Sequence, residues 1–124
     1  MGLFSFGNSS ADKKLNWVTI SSLAELNEAI DKSNTIPSLF FKHSTRCSIS
    51  SMALSRLENE WGESNSCNLY FIDLIAHRDV SNALAEKLNV FHQSPQAILI
   101  RNEKVIYDAS HGEISATAIK EKIS

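Results

Sequence analysis

Short apolar segments alternate with amphipathic helical segments along the chain, and this alternation constrains the fold more than any other feature. Ser22 and Glu25 have the spacing of a capping box, which marks a helix start. Asp79 is predicted to cap a third helix, and Asn102 and Glu103 are predicted to form a tight turn between two strands. Predicted strands cover residues 17–20, 38–42, 68–73, 96–100 and 104–109, and predicted helices cover residues 23–32, 48–63, 80–88 and 116–123.

The predicted element order is β-α-β-α-β-α-β-β-α. Strands separated by helices form a parallel sheet through crossover connections, and the last two strands form an antiparallel hairpin. We therefore expect an α/β fold with a central mixed β-sheet flanked by helices, which is the element order of the thioredoxin-like fold. Residues 1–14 are predicted to be a flexible N-terminal segment before a single domain at residues 15–124.

The second predicted helix has one apolar stripe, and Arg56, Glu58 and Glu60 are expected on its other faces. Trp17 and Trp61 are assigned to core packing. The residues of the predicted stripe are Ile49, Met52, Ala53, Leu57 and Trp61.

Composition limits the classes of protein and of binding partner that fit this sequence. The chain has 124 residues, 43% hydrophobic and 21% charged, which suits one globular domain. A formal net charge of -2 and a pI near 6.1 give no electrostatic argument for nucleic acid or an anionic membrane surface. No apolar run approaches the roughly 20 residues of a transmembrane helix, and the first residues lack a signal-peptide pattern. With two cysteines, we expect a cytoplasmic protein, and nothing in the sequence requires more than a monomer.

Cys47 lies where an apolar strand gives way to an amphipathic helix, five residues after Lys42. In open α/β sheets this junction is a usual place for function. The first-turn N–H groups lack partners within the helix and the helix dipole is positive there, so both favour a thiolate over a thiol. Lys42 and Arg46 would add positive potential if their side chains point the same way. Free cysteines are usually buried and inert, but this placement favours a reactive Cys47.

Ser50 occupies the position, three residues after Cys47, where dithiol oxidoreductases carry a second cysteine. Its hydroxyl can donate a hydrogen bond to the Cys47 thiolate but cannot attack a mixed disulfide, so an outside thiol must resolve any intermediate on Cys47.

A helix of about 15 residues separates Cys47 from Cys67 by roughly 20 Å. A disulfide needs Cα atoms within about 7 Å, so Cys67 is predicted to be a small core residue outside the chemistry.

Pro95 precedes the fourth predicted strand, in the half of the chain where thioredoxin-fold proteins carry a cis-proline loop facing the thiol. We predict a cis Ser94–Pro95 peptide, and we expect the backbone of Ser94 to hydrogen-bond a disulfide-bearing partner. An ordinary trans proline at a strand entrance is the alternative.

His43 is close enough in sequence to stabilise the Cys47 thiolate as a cation or to move its proton as a base, and a solvent-facing loop histidine is the alternative. No motif predicts a metal site.

Two strings carry a family resemblance: F-K-H-S-T-R-C-S-I-S at residues 41–50 and S-P-Q at residues 94–96. Through them the chain resembles the YtxJ-like family, thioredoxin-fold proteins of the bacillithiol system described as monothiol bacilliredoxins. The resemblance runs from about residue 17 to residue 123, and this chain has Ser48 where the family often has proline. It implies catalytic roles for Cys47 and Ser50. It implies roles in thiol activation or substrate binding for His43, Thr45, Arg46, Ser94 and Pro95.

The resemblance also implies a reaction with no bound cofactor and with bacillithiol, or a similar low-molecular-weight thiol, as co-substrate. Cys47 would attack the bacillithiol sulfur of a thiolated client protein, the client thiol would leave, and a second bacillithiol would regenerate Cys47. Two other functions remain open at this point. One is a non-catalytic thioredoxin-fold binding or adaptor module. The other is a carrier in which Cys47 and an external thiol ligate a metal cluster, as monothiol glutaredoxins do.

Overall fold

The computed structural model describes residues 15–62 and 66–124, and the predicted N-terminal segment at residues 1–14 lies outside them. The described residues have the predicted element order, with a short 3₁₀ helix, His111–Glu113, before the last helix. The strands are β1 (Val18–Thr19), β2 (Ser38–His43), β3 (Asn68–Asp73), β4 (Gln96–Arg101) and β5 (Lys104–Ser110). The helices are α1 (Leu23–Lys32), α2 (Ser48–Trp61), α3 (Arg78–Leu88) and α4 (Ala116–Ile123).

The strands form one mixed sheet in the order β1-β3-β2-β4-β5. β3 is parallel to β1 and to β2, whereas β4 is antiparallel to β2 and to β5. In this register His43 pairs with Asp73 and Lys42 pairs with Gln96. β2 and β3 therefore end where β4 begins, and we call this end of the sheet, marked by His43, Asp73 and Gln96, the upper end.

Strand alternation divides the core into two layers because successive side chains point to opposite faces of the sheet. Leu39 and Phe41 of β2 belong to the layer under α2 and α4, and Phe40 between them belongs to the layer under α1 and α3. All six residues of β2 are buried, as expected for a central strand covered on both faces. The predicted α/β architecture is confirmed by this arrangement.

The buried stripe of α2 differs from the predicted one. Ile49 and Met52 are 57% and 68% exposed, whereas Ser50 and Glu58 are buried. The carboxylate of Glu58 accepts a hydrogen bond of 2.9 Å from the Trp17 indole N–H, which satisfies part of its hydrogen-bonding capacity. The prediction was wrong at these positions because a polar side chain joins a buried stripe when the fold supplies its hydrogen bonds. The buried residues of α2 are Ser50, Ala53, Leu54, Leu57, Glu58 and Trp61.

The helix ends agree in part with the sequence. Ser22 caps α1 as predicted, and its hydroxyl accepts a 3.1 Å bond from the Glu25 N–H. Asp79 is not a cap, because α3 begins at Arg78, two residues before the predicted start, and His77 is its N-cap residue. α2 ends at Trp61 because Gly62 adopts a φ of 76°, a left-handed value that favours glycine. No helix in the described parts of the chain combines the length and apolarity needed to cross a bilayer.

The predicted turn between β4 and β5 is confirmed. Asn102 and Glu103 both have positive φ, 53° and 64°, which matches the right-handed twist of the two strands. Ser33, at the end of α1, accepts a hydrogen bond of 2.9 Å from each turn residue. The Asn102 N–H donates to the Ser33 carbonyl, and the Glu103 N–H donates to the Ser33 hydroxyl. The hairpin is thus fastened to α1 at the end of the sheet opposite the upper end.

Candidate functional site

Cys47 is the N-cap residue of α2, as the sequence predicted. Its backbone is extended (φ -115°, ψ 118°), its residue surface is half-buried, and its thiol is free. The Cys47 N–H donates to the Ser44 carbonyl (3.1 Å), and the Cys47 carbonyl accepts from the Ser51 N–H (3.2 Å). The sulfur makes no capping hydrogen bond. As the N-cap residue, Cys47 adjoins the first helical turn, whose N–H groups lack intrahelical partners and where the helix dipole favours negative charge.

Ser50 belongs to this first turn and is fully buried, and its hydroxyl is bonded to the end of β2. Its oxygen lies 2.7 Å from Nδ1 of His43 and accepts a 3.1 Å bond from the Ser44 N–H. Among the described residues no hydrogen bond joins Ser50 to Cys47. The hydrogen bond from the Ser50 hydroxyl to the Cys47 thiolate stays a prediction. The structure shows His43 and Ser44 as partners of this hydroxyl that the sequence did not predict.

His43 is the last residue of β2 and is 3% exposed, so the alternative of a solvent-facing loop histidine is wrong. Its ring lies 5.4 Å from the ring of Phe71 and 6.2 Å from the ring of Phe41, measured between centroids. The predicted strand ended at Lys42, one residue too early. Because side chains alternate along β2, the extra residue places His43 on the α2 face, directly under the helix that carries Cys47.

Thr45 and Arg46 are exposed in the connection between β2 and α2, next to Cys47 in the chain. Ser48, where the family often has proline, is exposed as the first residue of α2. These positions leave one side of the thiol open to solvent. Their suggested roles in activation or substrate binding stay predictions.

The predicted cis Ser94–Pro95 peptide is confirmed. Pro95 is buried, and its carbonyl accepts a 3.1 Å hydrogen bond from the His111 N–H. Since Gln96 pairs with Lys42, the chain just before β4 and the chain just after β2 leave the sheet together at its upper end. Ser94 and Pro95 are thereby brought to the end of the sheet that holds Cys47.

Lys42 does not face the thiol. It alternates with His43 and Phe41, so its side chain lies on the α1 and α3 face of the sheet, where it is fully buried. Its Nζ has no hydrogen-bond partner among the described residues. Burial lowers the pKa of Lys42 to about 8, and the carboxylate of Asp108 opposes this shift. The Lys42 side chain and the Cys47 thiol therefore lie on different sides of the sheet, so Lys42 does not add the positive potential that was expected near Cys47.

Cys67 is separated from Cys47 by the length of the sheet. It immediately precedes β3, whereas Cys47 follows the parallel strand β2, and six residues of strand span roughly 20 Å. Cys67 is buried in the α2 and α4 layer, and this burial raises the pKa of its thiol to about 12. It stays a neutral thiol at physiological pH, so its predicted exclusion from the chemistry agrees with its environment.

Comparison with known proteins places the chain in a family. The model of the family described as monothiol bacilliredoxin BrxC matches residues 18–119. The chain belongs to this family. A solved structure described as a candidate oxidoreductase with a thioredoxin fold is 26% identical, with a TM-score of 0.75 over 86% of this chain and 93% of that one.

Two thioredoxins show the same fold at lower identity. Thioredoxin from Trypanosoma brucei brucei is 13% identical, with a TM-score of 0.68 over 87% of this chain and 88% of that one. Thioredoxin from Fasciola hepatica is 14% identical, with a TM-score of 0.65 over 85% of this chain and 94% of that one. Family and fold together give this bacilliredoxin a thiol redox role.

Replacing Lys42 with Met should stabilise this bacilliredoxin near neutral pH. The pKa of Lys42 is about 8 in the folded protein against 10.5 for a free lysine. That difference corresponds to a penalty on the order of 3 kcal/mol for the buried ammonium. Between pH 8 and pH 10.5 the unfolded chain binds more protons than the folded protein, so the free energy of unfolding of the wild-type protein should rise with pH. The stability gained by Lys42→Met should therefore shrink over the same pH range. Urea unfolding near pH 7 and at about pH 9.5 measures both effects.

The matched control is Lys87→Met, because Lys87 is an exposed lysine in the last turn of α3. That substitution should leave the free energy of unfolding nearly unchanged at both pH values. Equal stability of wild-type protein and Lys42→Met near neutral pH would contradict the assigned cost.

Alkylation should distinguish the two thiols. Iodoacetamide should modify Cys47 in the folded protein and Cys67 only after unfolding, because Cys67 is buried and neutral. Peptide mass mapping after a short exposure measures this selectivity. Comparable labelling of both cysteines in the folded state would refute the assignment of Cys67 to the core.

Proposed function

We propose that the protein is a monothiol thiol–disulfide oxidoreductase that removes bacillithiol from client-protein mixed disulfides through Cys47. The observation that carries the proposal is the position of Cys47 at the N-terminus of α2, with a serine hydroxyl where a second thiol would lie. Cys67, the other cysteine of the chain, is buried near the opposite end of the sheet. No internal thiol is placed to resolve an intermediate, so the co-substrate must supply one.

The reaction consists of two thiol–disulfide exchanges. The Cys47 thiolate attacks the bacillithiol sulfur of the mixed disulfide, a new sulfur–sulfur bond forms, and the client cysteine leaves as a thiolate that takes up a proton. A second bacillithiol thiolate then attacks the bacillithiol sulfur held on Cys47. Bacillithiol disulfide leaves, and the Cys47 thiolate is regenerated. The Cys47 thiolate supplies the electron pair that displaces the client thiolate, and the one incoming bacillithiol thiolate restores it to Cys47, so no other reductant is needed.

We assign to the Ser50 hydroxyl, three residues after Cys47, the response to the charge on Cys47. One lone pair of its oxygen accepts the Ser44 N–H. If Nδ1 of His43 carries a proton, that N–H donates to Ser50, and the hydroxyl proton is free to donate to the thiolate. If Nδ1 is unprotonated, the hydroxyl proton is committed to His43. The tautomer of His43 thus decides whether Ser50 can stabilise the thiolate.

The partners of the proposed reaction are thiolated client proteins and the small thiol, and its place is the reducing cytoplasm, where such mixed disulfides are reversed. Cys47 has a half-buried residue surface with exposed neighbours at Arg46 and Ser48. A disulfide on the surface of a client can therefore approach it without local unfolding. A monomer suffices, since the groups assigned here all come from one chain.

Transfer of bacillithiol should be visible by intact mass. A protein carrying bacillithiol in mixed disulfide, mixed with the reduced wild-type protein, should lose the bacillithiol mass while this chain gains it. Cys47→Ala should abolish the transfer, and Cys67→Ala should retain it because Cys67 is outside the site. Added bacillithiol should then remove the adduct.

Other outcomes of this experiment identify the competing functions. If wild-type protein forms no adduct and still binds the client, the chain is an adaptor module. If the purified protein carries iron with visible absorbance, the cluster carrier is supported instead. A transfer that survives in Cys47→Ala would assign the chemistry to another residue.

Replacing Ser50 with Ala should slow alkylation of Cys47 about tenfold at fixed neutral pH, because losing one hydrogen bond to a charged group costs about 1.5 kcal/mol. The same change removes the hydroxyl that accepts the Ser44 N–H and is bonded to His43 Nδ1. Rates of iodoacetamide alkylation measure the effect on the thiol, and Ser51→Ala, a change at the neighbouring half-buried position, is the control. An alkylation rate equal to that of wild type would remove Ser50 from thiolate stabilisation.

A further inference from the structure

The side chain of Gln96 is buried at the start of β4, and its amide group makes three hydrogen bonds. Nε2 donates to the Phe91 carbonyl (3.0 Å) and to Oδ1 of Asp108 (2.9 Å). Oε1 accepts from the Gln93 N–H (3.2 Å). Both amide hydrogens and the carbonyl oxygen are thus used, while only 1% of the residue is exposed. Two of the three partners are backbone groups of residues 91–95, which we call the proline segment.

The proline segment is held from a second side as well. The Pro95 carbonyl accepts the His111 N–H (3.1 Å), and the His111 carbonyl accepts a bond from Nη2 of Arg56 (3.2 Å). Arg56 lies on α2, the helix that begins after Cys47. Hydrogen bonds therefore connect the proline segment to β4 and β5 through Gln96 and to α2 through His111.

We propose that Gln96 is a positioning residue for the reaction of Cys47, a role that rests on the proposed function. It holds the proline segment so that the backbone of Ser94 is already in place when a disulfide-bearing protein approaches Cys47. A segment ordered before binding spares the complex the entropy of ordering it. Gln96 touches no reacting atom, so its effect is expected on recognition of the protein substrate rather than on the exchange itself.

Gln96→Met removes all three hydrogen bonds with little change in side-chain volume. For a protein carrying bacillithiol in mixed disulfide, the variant should raise KM about tenfold and change kcat less than about twofold, because it weakens binding that ground and transition states share. Hydrogen exchange at the Gln93 amide should become faster, since its acceptor is lost. Alkylation of Cys47 by iodoacetamide should stay at the wild-type rate because that reagent does not use the proline segment.

Ser38→Ala is the matched control for lost stability. It removes a buried hydrogen bond of 3.1 Å, from the Ser38 hydroxyl to the Ala29 carbonyl, at the opposite end of β2. Its KM should equal that of wild type.

A Gln96→Met protein with wild-type KM would overturn the proposal, and so would a KM raised equally by Ser38→Ala. Failure of the wild-type protein to accept bacillithiol is a different result. It would refute the proposed function, and the positioning role with it.

Discussion

The hydroxyl of Ser50 joins the end of the central strand to the first turn of α2, and the placement of the Cys47 thiol depends on this junction. It accepts the Ser44 N–H just after β2 and is bonded to His43, the last residue of that strand. β2 is itself hydrogen-bonded to a neighbour on each side and covered on both faces. A helix start tied to such a strand has little freedom, so Cys47 stays beside the N–H groups of the first turn.

Neighbouring residues of β2 illustrate how burial acts on a titratable group. His43 and Lys42 are both buried, but on opposite faces of the sheet. His43 has the Ser50 hydroxyl as a partner, whereas the Nζ of Lys42 has none among the described residues, and its pKa falls accordingly. Burial acts on Cys67 as well, and it keeps that thiol neutral.

Periodicity predicted the order of elements, the Ser22 cap, the hairpin turn and the position of Cys47, because each depends on residues close in sequence. It failed where distant partners decide burial. Glu58 looked like a solvent-facing residue until the fold placed the Trp17 indole beside it. The sequence predicted for Gln96 only a place at the start of a strand. Nothing in the sequence indicates that Phe91, Gln93 and Asp108 all hydrogen-bond its side chain. Polar residues in a core can be identified only when their partners are known.

The buried side of the site also constrains the order of the proposed reaction. Ser50 and His43 are buried at the upper end of the sheet, where α2 begins, and Pro95 is buried at the same end. The open side is bounded by the exposed residues Arg46 and Ser48. In the proposed reaction, the mixed disulfide therefore reaches Cys47 from this side, and the regenerating thiol then reaches the bacillithiol sulfur held on Cys47 from the same side. Because Cys67 is buried near the opposite end of the sheet, it does not compete in the proposed reaction, and the proposed adduct on Cys47 waits for the outside thiol.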